Sequence, residues 1–125
     1  MKSIIYFLFA GSIAWSQENA GPHKGYIHST GPYQMELILE KNGSLLVYLL
    51  DSELKNETVK ASEVGVFVKS GNVESEMNCQ PKGDTHFECH QNGKVFRKGE
   101  LAVTSKRDGV RSEEVKIKFP FAQTK

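Results

Sequence analysis

Residues 33–51 read Tyr33-Gln34-Met35-Glu36-Leu37-Ile38-Leu39-Glu40-Lys41-Asn42-Gly43-Ser44-Leu45-Leu46-Val47-Tyr48-Leu49-Leu50-Asp51, and this stretch decides the fold. Tyr33, Met35, Leu37 and Leu39 alternate with Gln34, Glu36, Ile38 and Glu40. A period of two puts every second side chain on one face of a sheet. Asn42-Gly43 predicts a tight hairpin turn, because both residue types tolerate positive φ. Leu45 to Leu50 is apolar throughout, which predicts a strand covered on both sides, and Asp51-Ser52 closes it.

The same rhythm continues outward. Residues 53–63 are polar and mark a longer connection, after which Val64, Val66 and Val68 predict a strand ended by Ser70-Gly71-Asn72. Val73, Met77 and Cys79 point one way and Glu74, Glu76 and Asn78 the other, as in one continuous strand. Pro81-Lys82-Gly83-Asp84 is a turn by composition. Phe87 and Cys89 then share a face, with His86, Glu88 and His90 opposite. Leu101 and Val103 follow, Arg107-Asp108-Gly109 turns the chain, and Val115, Ile117, Phe119 and Phe121 alternate with Lys116 and Lys118. With the short Gly25–His28 segment this makes seven or eight strands and no helix. The expected fold is all-β: an antiparallel β-sandwich, immunoglobulin-like in architecture, with a small β-barrel as the alternative.

A turn centred near Asp84 sets Cys79 directly opposite Cys89, both facing the core, so a disulfide is expected. A loop this short gains roughly 2–3 kcal/mol from its bridge. The spacing is not Cys-x-x-Cys, so a staple rather than a redox centre is expected.

Residues 1–16 explain the oxidising compartment that such a bridge needs. Lys2 supplies a positive n-region, and Ile4 to Trp15 is an apolar core too short to span a bilayer with anchoring flanks. Ala14-Trp15-Ser16 offers small residues at the −3 and −1 positions, so cleavage is expected between Ser16 and Gln17. Residues 17–125 then form a single periplasmic or secreted domain without stable membrane insertion. The chain holds 16 Lys and Arg against 15 Asp and Glu, and Lys2 leaves with the signal, so the mature charges balance. Balance disfavours nucleic acid, which demands a basic excess. Lys94, Arg97 and Lys98, like Lys106-Arg107, read as solvated edges and turns.

No nucleophile elbow, phosphate-binding glycine loop or His-Glu-x-x-His helix is present, so a binding protein is expected rather than an enzyme. Imidazoles are the metal donors to weigh. His86 and His90 flank Glu88 on one strand face, where successive same-face residues stand about 6.6–6.8 Å apart. A polar solvent face is the plainer reading of that trio. The second group is N-terminal: His23 within Gly21-Pro22-His23-Lys24-Gly25, then His28, Met35 and Glu36, although Glu36 projects opposite to Met35.

Residues 21–51 resemble a group of small bacterial periplasmic proteins and adaptor-associated domains that accompany three-component heavy-metal efflux systems. Their pattern runs Gly-Pro-His-Gly-Gly, then Gly-x-Tyr-His-x-Glu-Leu, then a hairpin ending in Val-Tyr-Leu-x-Asp. The resemblance marks His23, Tyr33, Glu36 and Asp51 as the positions to examine. Lys24 stands where the pattern has glycine, and Gln34 where it has histidine. What it implies is a periplasmic protein that holds or passes copper or zinc in support of efflux, with an envelope protein or efflux component as partner. The alternative is an extracytoplasmic interaction module without ligand chemistry.

Overall fold

Alternation turns directly into burial along the decisive hairpin. Residues 21–121 are described by a computed structural model, in which β1 is Tyr26–Ser29, β2 Gln34–Leu39 and β3 Leu45–Leu50. The expected signal peptide and its cleavage site lie outside these residues. Met35, Leu37, Leu45, Val47 and Leu49 are fully buried on one face of the hairpin. The register runs from Gln34 opposite Leu50 to Leu39 opposite Leu45, so five residues, Glu40 to Ser44, form the connection around Asn42-Gly43. It is therefore wider than a two-residue turn, closed by Glu40 N donating to Ser44 O and Gly43 N donating to Glu40 O.

The remaining strands are β4 Glu63–Ser70, β5 Val73–Glu76, β6 Asn78–Lys82, β7 His86–His90, β8 Gly99–Arg107, β9 Val110–Arg111 and β10 Val115–Phe119. One antiparallel sheet has the order β1-β2-β3-β7-β6. The other has β10-β8-β4-β5, with β9 continuing along the β8 edge that β10 occupies. The two inner faces meet in a core of Tyr33, Met35, Leu37, Val47, Val66, Val68, Met77, Phe87, Leu101, Val103, Ile117 and Phe119, among others. The β-sandwich is thus present, and neither sheet closes into a barrel. No helix among the described residues is long and apolar enough to cross a membrane.

The stretch 73–79 departs from the expectation of one strand. It breaks at Met77 into β5 and β6, which belong to different sheets. Pro81 and Lys82, expected in the turn, pair with Phe87 and His86 as the end of β6. Met77 stays buried at the corner and its N–H still donates to Val66 O, 2.8 Å away, so alternation survives while the chain changes layer. At the other end β10 stops at Phe119, and Phe121 packs on Tyr26 of β1 with ring centroids 5.3 Å apart.

The Cys79–Cys89 disulfide is formed, at facing positions of β6 and β7. Tyr33, marked by the resemblance, is a core residue. Its hydroxyl bonds Ser105 Oγ at 2.8 Å, and Ser105 in turn bonds Ser112 Oγ at 3.0 Å, so it ties the first sheet to the second.

Candidate functional site

Glu36 lies on the outer face of the first sheet, yet its side chain is 0% exposed. The cover is the segment Gly21 to Gly25, which folds flat over it. Gly21 and Gly25 are required there by contact. A Cβ on Gly21 would collide with the Glu36 carboxylate, and one on Gly25 would sit 2.6 Å from the Leu37 carbonyl oxygen. A charge buried this way needs partners, and it has three. Glu36 Oε2 accepts from His23 N and Gly25 N, each at 2.8 Å, and Oε1 faces His23 Nδ1 at 3.0 Å.

Lys24 adopts φ 66°, the left-handed region. A side chain in that region costs roughly 1–2 kcal/mol, a cost that glycine avoids. Lys24→Gly is therefore expected to raise stability by about 1 kcal/mol in urea denaturation, since some of the gain returns as unfolded-chain entropy. A Lys24→Gly protein no more stable than wild type would show that the turn is not held in this shape.

Held by Glu36, the His23 ring presents Nε2 to Glu57 Oε1 at 3.2 Å, each side chain 29% exposed. The ring also stacks on Tyr48, with centroids 3.9 Å apart and planes 15° from parallel. Tyr48 stacks in turn on His86, at 4.6 Å and 24°. Strand register explains the row: Glu36 faces Tyr48 across β2–β3, and one residue beyond the Val47–Phe87 pair Tyr48 meets His86 of β7. Burial, then the Glu57 and Glu36 carboxylates, raises the Tyr48 phenol above its ordinary value. Burial lowers His86, with Glu88 and Glu57 opposing that shift, so at neutral pH the ring is neutral.

The structure thus brings His23 and Glu36 together and adds Glu57 and Tyr48, which the sequence reading did not single out. His86 joins the row only through Tyr48, whose ring stands between the two imidazoles. His90 belongs elsewhere: its Nδ1 bonds Ser44 Oγ at 2.8 Å, while Nε2 faces Glu88 at 3.8 Å. Glu88 also pairs with Lys82 at 3.3 Å, and His86 Nδ1 bonds Thr85 Oγ1 at 2.8 Å. The two β7 histidines accordingly keep separate partners. His28 faces Met35 in register and so leaves the sheet on the side away from Glu36. Among the described residues no group of three or more His, Cys, Asp or Glu is placed to hold a metal ion.

Asp51 shapes the loop that delivers Glu57. Its Oδ1 accepts from Glu53 N and Lys55 N, each at 2.9 Å, and its Oδ2 from Asn56 Nδ2 at 2.7 Å. The Lys55 amide does most to hold its carboxyl below the usual range; partial burial opposes, and Asn56, Glu53 and Arg107 assist. Arg107, expected to be merely solvated, crosses from the other sheet to donate to Asn56 O at 2.7 Å and Leu49 O at 3.3 Å.

No protein-family model, curated protein or solved structure matches this chain.

Proposed function

We propose that this is an exported protein that takes a borderline divalent ion, zinc or copper(II), at His23 Nε2 and Glu57 in support of heavy-metal efflux. The observation that carries the reading is a histidine with a carboxylate at each ring nitrogen. Carboxylate oxygens only accept, so the Nδ1 side is satisfied by a ring proton shared with Glu36. The Nε2 side then calls for a positive charge between nitrogen and Glu57, supplied either by a second proton or by a metal. A buried carboxylate that orients the far nitrogen is also the usual outer partner of a metal-binding imidazole. Donors 3.2 Å apart lie close to one edge of a tetrahedron around an ion about 2.1 Å from each.

Imidazole with carboxylate suits zinc and copper(II). Copper(I) prefers thioethers, and Met35 and Met77 are committed to the core. Two protein donors leave the other positions to water or to donors of an envelope partner, which fits passing an ion on better than storing it. The resemblance over residues 21–51 points the same way.

Isothermal titration of the mature protein with zinc is expected to give one site. Its affinity should fall as the pH is lowered, because protons compete with the metal for its ligands. His23→Ala should abolish it, and Glu57→Gln, which leaves the turn intact, should weaken it at least tenfold. Absence of binding, or binding that both substitutions leave unchanged, would reject the assignment.

A further inference from the structure

The His23–Glu57 pair joins two segments that the sheet ladders do not hold together: the turn ahead of β1 and the long connection between β3 and β4. That connection contains no strand, so something else must fix where Glu57 stands. Its first half winds around Asp51. Leu54 N donates to Asp51 O at 3.0 Å, and Asp51 N donates to Lys55 O at 2.8 Å. The carboxylate collects the Glu53 and Lys55 amides and the Asn56 side chain. Leu54 and Asn56 both take left-handed backbone, φ 65° and 55°, a conformation that persists only where surrounding bonds over-determine it. Arg107 then pins the Asn56 carbonyl, and Glu57 is the next residue.

We infer that Asp51 is a positioning residue for the His23 site: it winds residues 51–56 into the one shape that carries the Glu57 carboxylate to His23 Nε2. The inference rests on the site proposed above but does not require that an ion be bound. Asp51 hydrogen-bonds to Glu53, Leu54, Lys55 and Asn56, all within the connection itself, and the Arg107 charge acts on its carboxyl. Losing it should free the loop while leaving both sheets in place.

The experiment compares metal-free, nitrogen-15-labelled wild type with Asp51→Ala, Glu57→Gln and the double variant, reading histidine ring nitrogens and backbone amides. In Asp51→Ala the His23 Nε2 signal should move to its position in Glu57→Gln, and the double variant should add nothing further. The His23 and Gly25 amides, bound to Glu36, and the strand amides should stay where they are. A wild-type His23 signal in Asp51→Ala would overturn the inference, and so would amide shifts spread through both sheets. Zinc titration forms a separate arm. A loss of affinity of about 10- to 100-fold in Asp51→Ala, matching Glu57→Gln, supports positioning. A wild type that takes no zinc sinks the metal reading and leaves the ring-nitrogen comparison to decide this one.

Discussion

Replacing Glu36 by alanine is expected to cost about 3 kcal/mol of folding stability, read as a lower urea midpoint with an unchanged slope. The carboxylate is fully enclosed and serves two backbone N–H groups and one imidazole nitrogen. Each donor stranded in a buried position costs about 1–3 kcal/mol. The total stays below that sum because the Gly21–Gly25 segment can lift away and hydrate its donors, sacrificing instead the His23 stack on Tyr48. Glu36→Gln keeps the volume and one accepting oxygen but turns an amide toward His23, so about half the loss is expected. An alanine variant within 0.5 kcal/mol of wild type, a threshold set by ordinary surface substitutions, would mean that nothing is anchored at Glu36.

Reducing the Cys79–Cys89 bond should have an effect of similar size, about 3 kcal/mol, from the loop entropy returned to the unfolded chain. The two residues are 10 apart in sequence. Their position adds to the consequence: among the described residues β6 stands at the end of its sheet, paired with β7, so the bridge clamps an edge strand. Denaturation with and without reductant measures it. Equal midpoints would show that the β6–β7 ladder and the packing of Phe87 suffice alone.

These two effects also mark what could be read from residues and what could not. The β2–β3 hairpin was legible because its inward side chains alternate without interruption from Tyr33 to Leu39. The bridge was legible because the turn at Asp84 fixes the register. The layer change at Met77 was not, since Met77 points inward before and after it and the alternation never falters. Sequence showed that Glu36 faces away from the core, but not that the preceding turn would cover it, which is tertiary packing.

The candidate site was half visible. His23 and Glu36 stood out, and their contact follows from the glycines that let the turn lie flat. Tyr48 was hidden inside an apolar run, and a two-residue turn at Asn42-Gly43 would set Leu49 opposite Glu36; the five-residue connection brings Tyr48 there instead. His86 and His90 suggested one site by spacing, and stacking on Tyr48 separates them. Glu57 carried no signal, because it sits in a polar connection without periodicity. Asp51 was marked by resemblance alone, and its hydrogen bonds to Glu53, Leu54, Lys55 and Asn56 give it a structural role that composition does not announce.

The most direct test follows the His23 ring nitrogens of the mature protein while zinc is added. With Glu36 holding the ring, Nδ1 should keep its proton throughout and the Nε2 resonance alone should move, saturating at one equivalent. Metal uptake at Nδ1, or a His23 spectrum that excess zinc leaves untouched, would contradict the arrangement on which the whole reading depends.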